Sequence, residues 1–519
     1  MTEGRPPVLA VGGEAGRRTE PGNEIDLNDT PSDREALALL SEAYARDNVV
    51  IPLSLSDGIL TVACARPTDG RLLDELKALT RHSIVPLRAS EANIQQAIEE
   101  RYKLFVGVNE HIEAFRIHEA SVQSSRPLGT INEKSPVVQI ANMIIEQGLR
   151  DRASDIHLEP QQNHLRVRFR IDGMLTDAIS LPANMAPSLS SRIKVLANMD
   201  IVDRHRAQDG QMRIESGQRH IDIRVSTAET IWGEKVVLRL LDQSRTVLKL
   251  DQLGLAQSGY ERMSRLLRSP YGMVVVSGPT GSGKTTTLYA AITQLDPMVQ
   301  NITTIEDPVE YTFPNINQMQ IKKVANLTFA NGLKSILRQD PDVILVGEIR
   351  DIETAEIAVQ SALTGHLVLT SLHATDAAGV IQRFIEMGVE GFLVSSSLIG
   401  VAAQRLIRRV CPACSAEYTP SPDEFALWRE FRTEAGSFRR GSGCGHCGGT
   451  GYRGRTGVFE VLPVTDGIKR LITGRASSQQ IREQAISEGM ISMRADAVSK
   501  VAEGLTTLAE VMRCVWLNQ

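Results

Sequence analysis

Residues Gly278-Pro279-Thr280-Gly281-Ser282-Gly283-Lys284-Thr285 read G-x-x-x-x-G-K-T. An apolar, strand-forming run (Met273 to Val276) precedes them, and a helical pattern, LYAAITQL, follows. Strand, glycine-rich turn and helix are the context that this spacing needs to cradle a phosphate. The glycines let successive backbone N–H groups converge on one anion, and the new helix points its positive end at it. Lys284 would reach the β- and γ-phosphates, and Thr285 would offer its hydroxyl to Mg²⁺. Thr286 completes the candidate ATP-binding set.

Three further stretches could act on a bound nucleotide. Asp342 to Glu348 (DVILVGE) is an apolar strand ending in an acid, which suits a carboxylate beside a metal's water shell. Thr303 to Glu310 (TTIEDPVE) ends a second strand in three acids, Glu306, Asp307 and Glu310. A hydrolase needs one carboxylate to orient or deprotonate the attacking water. His366 and His373 bracket a third strand, and an imidazole there could sense a γ-phosphate by hydrogen bonding.

Cys411-Pro412-Ala413-Cys414 and Cys444-Gly445-His446-Cys447 form two C-x-x-C pairs. Four thiolates suit a closed tetrahedral zinc site, structural because no position stays open. A redox dithiol and an iron–sulfur cluster are the competing chemistries, and no thioredoxin-like unit surrounds either pair. His446 reads as a bystander, and Cys64 and Cys514 as packed thiols.

These motifs need elements to hold them. The 519 residues suffice for three or four domains, and 42% hydrophobic with 23% charged residues is ordinary for a globular chain. A net charge of −5 and only 4% aromatic residues argue against a protein built to coat nucleic acid. The start of the chain shows no signal peptide, and no stretch is long and apolar enough to span a bilayer. Gly391 to Gln404 (GFLVSSSLIGVAAQ) reads as a buried helix. Helix is expected from Arg34 to about Ala45, from Thr68 to Leu79 and from Glu91 to Tyr102, with two strands around Ser56-Asp57-Gly58 and another near Ile84. Further on, apolar residues at helical spacing mark 135–151, and a group of alternating strands follows, rich in arginine (Arg166, Arg168, Arg170, Arg224, Arg239). From about Val247, strands and helices alternate in the manner of a largely parallel sheet, whose ligands sit beyond the carboxyl ends of the strands.

The strings SDIHLEP, DIRVST, GPTGSGKTTTLYAA, IEDPVEY, LRQDPDVILVGEIRD, TGHLVLTSLHATDA, AQRLIRRVCPAC and GYRGRTGVFE occur in this order, and through them the chain resembles the type II secretion and type IV pilus assembly ATPases between about Pro136 and Glu460. The resemblance implies an α/β fold with a RecA-like P-loop ATPase domain, two smaller α/β domains before it, a four-cysteine zinc subdomain and a helical C-terminus. The expected boundaries are a disordered arm (1–32), a partner-docking domain (33–104), a linker (105–133), a second N-terminal domain with an arginine clamp (134–245), the ATPase domain (246–407), the zinc subdomain (408–455) and a helical region (456–519). It implies a cytoplasmic homo-hexamer, peripheral at the inner face of the membrane. That motor would hydrolyse ATP with Mg²⁺, bind Zn²⁺, dock on membrane-anchored platform proteins and drive pilus or pseudopilus assembly. Glu310 corresponds to the family's catalytic base, Glu348 to the Walker B acid, His366 and His373 to its histidine box, Arg224 and Arg239 to arginines on the γ-phosphate, and Lys334 and Arg338 to basic residues before Walker B. Only Arg46 to Tyr102 resembles the family's N-terminal module, and its R-L-G-type repeats are missing, so cyclic di-GMP binding is not expected. The competing class, a RecA-like nucleic-acid translocase, is disfavoured by the acidic balance.

Overall fold

The computed structural model describes residues 58–102, 111–117, 135–216, 219–242, 247–322, 325–432 and 436–516, and, in the 25–56 stretch, residues 25, 27, 30, 32, 34–37, 39–40 and 42–56. The linker expected over 105–133 lies mostly outside them. Two compact units, Met1–Glu110 and His111–Gln519, make up the chain.

In the first unit, strands β1 (Val50–Ser56), β2 (Ile59–Cys64) and β3 (Ser83–Arg88) form a sheet in that order. Gly58, at φ 76°, supplies the left-handed residue of the β1–β2 turn. Helix Gly70–Thr80 makes the crossover that the parallel β2–β3 pair requires, and the Asp69 carboxylate caps its first amides. The helix expected from Arg34 is two short ones, Arg34–Leu37 and Glu42–Asp47. Part of the expected arm is packed: Leu27 is buried and Ile25 N–H donates to Arg88 O. Cys64 lies in the core of this unit, as expected.

The second unit opens with a six-stranded sheet. Its strands are β4 (Asp155–Pro160), β5 (His164–Ile171), β6 (Met174–Pro182), β7 (Gln208–Ser216), β8 (Arg219–Thr230) and β9 (Gly233–Asp242), ordered β6-β5-β4-β9-β8-β7 and antiparallel throughout. Alternation sorts its side chains. Ile156, Leu158, Val167, Phe169, Ile223, Val225 and Leu238 are buried, on the face that also carries helices Pro136–Arg150 and Ala186–Leu196. The arginines share the other face with Asp155 and Glu159.

The nucleotide domain is a seven-stranded sheet. It contains β10 (Gly272–Ser277), β11 (Ile302–Glu306), β12 (Asn317–Gln320), β13 (Val343–Val346), β14 (Leu367–Leu372), β15 (Leu398–Val410) and β18 (Tyr452–Pro463), ordered β12-β11-β13-β14-β10-β15-β18. All neighbours are parallel except β15 and β18.

β15 corrects the reading of Gly391 to Gln404. Only Gly391–Ser397 is helical, and from Leu398 the chain becomes a strand. β10 and β18 bond both of its edges, and its side chains enter a core on each face, Val401 and Ala403 on one and Ala402 on the other, so its apolar run is continuous. A short continuous run of this kind cannot be told from a buried helix by periodicity. β18 crosses position 455, where the zinc segment was expected to give way to helices. The cysteine segment is therefore an excursion from the ATPase sheet, leaving at the end of β15 and returning along β18. It holds the small ribbon of β16 (Ser415–Glu417) and β17 (Arg439–Gly441) and the helix Pro422–Arg429, which starts in a Ser421/Glu424 capping box. Four helices (Asp466–Thr473, Ser478–Ser487, Met493–Ala502, Leu508–Val511) follow, and the wholly buried Glu510 carboxylate ties the last of them to Arg408 of β15 and to Arg513. No described helix is long and apolar enough to cross a membrane.

Candidate active site

The glycine loop leaves the carboxyl end of β10, a strand buried along its whole length. At Gly278, with φ 150°, a Cβ would lie 2.5 Å from both Gln404 O and Ser282 Oγ, so only glycine fits. Gly283, at φ 87°, turns the chain into helix Lys284–Ile292. Lys284 Nζ donates to Gly278 O (2.9 Å) and Pro279 O (3.2 Å) of its own loop. Burial lowers its pKa, and nearby Glu348 works the other way. Ser282 Oγ is buried without a hydrogen-bond partner, while Thr285 and Thr286 are exposed. A loop with an orphaned hydroxyl, an ammonium resting on its own carbonyls and exposed threonines at a helix start fits a phosphate with its Mg²⁺.

Gln404 of β15 braces this loop from beneath. Its Nε2 donates to Ser282 O (2.6 Å) and its Oε1 accepts from Thr287 Oγ1 (2.7 Å). Sequence reasoning missed it. The signal was a fully buried glutamine closing an apolar run, which needs partners on both ends of its amide.

Glu348 follows β13 closely, and Gly347 lets that strand end approach β11, where a Cβ would meet Ile305 O at 3.3 Å. The Glu348 carboxylate accepts from Arg350 (2.5 Å) and lies 3.8 Å from His373 Nε2. His373 Nδ1 is 3.5 Å from Lys284 Nζ. Burial, then the Lys284 charge, lowers the His373 pKa, which favours the neutral ring, and its one N–H can donate to a phosphate oxygen. His366 does not join this group. Its carbonyl accepts from Gly272 N, at the start of β10, whereas the loop follows the end of that strand, roughly 17 Å away at strand rise.

The three acids at and beyond the end of β11 separate. Glu306 is buried and Asp307 exposed, while Glu310 is half-buried. Glu310 accepts a bidentate pair from Arg224 of β8, at 3.1 and 2.9 Å. An arginine of the antiparallel sheet thus grips a carboxylate of the nucleotide domain. Arg239 is the cross-strand register partner of Arg224. Two cations facing each other across a ladder repel unless each is neutralised. Glu310 neutralises one, and Asp155 the other, accepting from Arg239 Nε at 3.0 Å. The remaining sheet arginines pair locally, Arg166 with Asp177 and Arg168 with Glu159. Lys334 pairs with Glu353 on an exposed surface, and Arg338 donates to Lys334 O.

A cavity of about 630 Å³ opens beside the phosphate-loop helix, lined by Thr286, Gln404 and Leu253, by Arg455 of β18 and by Arg152 and Asp172, in the loops before β4 and between β5 and β6. Asp172 bridges to β18, accepting from Gly454 N (2.7 Å).

The four candidate metal ligands converge. The Sγ atoms of Cys411, Cys414, Cys444 and Cys447 all lie within 4.8 Å of one another. Individual separations are 3.9 Å (Cys411–Cys444), 3.9 Å (Cys414–Cys447) and 3.8 Å (Cys444–Cys447). Tetrahedral zinc at about 2.3 Å from each sulfur demands S···S edges of roughly 3.8 Å. Burial pushes the Cys414 thiol up to about 12 and raises Cys444. Burial acts on Cys447 too, but the amides of Cys444 and Gly451 outweigh it and lower that pKa. Glycines allow the knuckles to close: a Cβ on Gly451 would sit 2.4 Å from Gly441 O. The donor set fits zinc, which would crosslink the two knuckles without catalysing anything. His446 is outside the cluster.

Comparison with known proteins places this site in a family. Residues 130–513 match the family described as Type II/IV secretion system protein, and residues 20–106 match the MshEN domain, a longer stretch than the 46–102 recognised in the sequence. The chain is 41% identical over 501 residues to the type IV pilus assembly ATPase PilB of Myxococcus xanthus, covering 94% of this chain and 88% of that one. It is 37% identical over 493 residues to the type II secretion system ATPase E of Vibrio cholerae, covering 93% and 98%. With the type II secretion system protein E of Pseudomonas aeruginosa it shares 47% over 381 residues, covering 73% and 76%. The fold is that of the ATPase DotB of Legionella pneumophila (TM-score 0.53, 19% identity, 75% of this chain and 96% of that one). The chain belongs to the type II/IV secretion system protein family and is an ATP hydrolase.

Proposed function

We propose that the chain is a cytoplasmic, hexameric motor that hydrolyses Mg-ATP to drive pilus or pseudopilus assembly, docked on membrane-anchored platform proteins and holding one structural zinc. The names of its relatives support the machine. The bidentate Arg224–Glu310 pair carries the mechanism, because it joins the antiparallel sheet to an acid of the nucleotide domain whose amide is bonded to Tyr289 of the phosphate-loop helix.

The phosphate loop and Lys284 bind the β- and γ-phosphates, and the 630 Å³ cavity has the size for the nucleoside. A divalent cation would neutralise phosphate charge, with Thr285 and Glu348 as its protein-side partners. Glu310 directs the attacking water. His373, between Lys284 and Glu348, reads the γ-phosphate.

Arg224 has two competing anions. Without nucleotide it holds Glu310. A γ-phosphate, more highly charged, competes for the same planar fork. Its arrival draws Arg224 onto the phosphate and releases Glu310 toward water, and phosphate departure reverses the exchange. The six-stranded antiparallel sheet therefore moves against the nucleotide domain in each cycle, biased by differential binding. Arg239 is the second arginine in reach of that exchange if Asp155 yields it. Distances between labels on the two domains test this. They should differ between ADP and a non-hydrolysable ATP analogue, and identical distances would leave Arg224 a static tether.

A further inference from the structure

We propose that Tyr289 is a positioning residue for hydrolysis, fixing the backbone of Glu310 to the phosphate-loop helix; this rests on the reading of Glu310 as the water-directing acid. Tyr289 is the sixth residue of helix Lys284–Ile292 and is 1% exposed. Its hydroxyl donates to Glu306 Oε2 in a short hydrogen bond, and its oxygen accepts the Glu310 N–H at 3.1 Å. The proton has one place. Burial, then the Glu306 carboxylate, raises the phenol pKa far above neutrality, so the O–H stays on tyrosine and a lone pair remains for the Glu310 amide.

Glu306 is an anchor, not a second base. It is 2% exposed, and its oxygens are taken by Tyr289, Thr304 Oγ1 (2.6 Å) and Gln318 Nε2 (3.2 Å). The segment beyond Glu310 is pinned to the same ring and strand. Tyr311 and Phe313 meet Tyr289 edge-on, with centroids at 6.0 and 5.0 Å, and Gln318 bonds Tyr311 O and Phe313 N. Along the helix, Tyr289 lies only about 7.5 Å from Lys284 at 1.5 Å per residue. A shift of that helix as phosphates fill the loop therefore carries the Glu310 backbone with it. An acid whose carboxylate must exchange partners needs its main chain fixed, because a displacement of about 1 Å can cost about 10²-fold in rate.

The test compares the full chain with Tyr289→Phe, Glu310→Gln and the double variant Tyr289→Phe/Glu306→Gln. Tyr289→Phe keeps the ring packing but leaves the buried Glu306 Oε2 without a donor, so its Tm falls; in the double variant the charge is gone and Tm recovers in part. We expect kcat to fall at least tenfold in Tyr289→Phe and in the double variant, with KM and ATP-analogue affinity unchanged. Wild-type kcat in Tyr289→Phe, or kcat returning with Tm in the double variant, would overturn the positioning role. Wild-type kcat in Glu310→Gln would instead overturn the reading of Glu310 on which the role rests.

Discussion

Replacing Glu310 by Gln should tighten the binding of an ATP analogue while leaving ADP binding unchanged. The wild-type carboxylate competes with the γ-phosphate for Arg224. Both partners are about one-third exposed, 33% for Arg224 and 28% for Glu310. The fork is bidentate but reached by solvent, so the pair contributes about 1 kcal/mol, between a surface pair and a dry one. An ATP analogue displaces that contact, and ADP does not. Glu310→Gln removes the charge and should raise analogue affinity about fivefold, since 1.4 kcal/mol is a factor of ten. Arg224→Ala should do the opposite, weakening the analogue and sparing ADP. Titration calorimetry with both nucleotides reads the difference directly, and high salt should shrink it as the pair is screened. Equal gains for analogue and ADP, or no gain in Glu310→Gln, would refute the exchange.

Other outcomes follow from the same geometry. Purified chain should carry about one Zn²⁺ by elemental analysis, lost in Cys411→Ser or Cys444→Ser with nucleotide affinity largely retained. An iron signal would contradict the assignment. Gly451→Ala should lower zinc content, because its φ of 73° disfavours a side chain and its Cβ would strike Gly441 O. Glu510→Gln should cost about 3 kcal/mol or more, since it breaks a buried pair. Despite the cost of burial, Arg513 and Arg408 hold the Glu510 carboxyl near 2, below its ordinary 4.5. Its stabilisation is therefore full above about pH 4.5 and lost as pH falls toward 2. The Tm gap between wild type and Glu510→Gln should close over that acid range.

Much of the site was legible because it is local in the chain. The phosphate loop, the two cysteine pairs and the acid after β13 each lie within a few residues, and their spacing states the chemistry. What stayed hidden acts across the fold. Gln404 reaches Ser282 over 122 residues, and Arg224 reaches Glu310 over 86. The acids of the Glu306 to Glu310 run look alike by residue type, and burial with three side-chain donors assigns Glu306 to anchoring. The two histidines flanking β14 are alike in type, yet strand length puts them at opposite ends of the sheet. The strand from Leu398 was masked because a doubly covered strand loses the alternation that reveals one, and β18, its antiparallel partner, went unrecognised with it.

The most direct test of the account is phosphate release by the full-length chain with Mg-ATP, measured beside analogue binding in the same preparation. Wild type should turn over. Lys284→Ala should neither bind nor turn over. Glu310→Gln should bind at least as tightly as wild type, with turnover reduced about 10²-fold or more. Turnover at the wild-type rate in Glu310→Gln would contradict the claim that this carboxylate, held by Arg224 until the γ-phosphate arrives, directs the water.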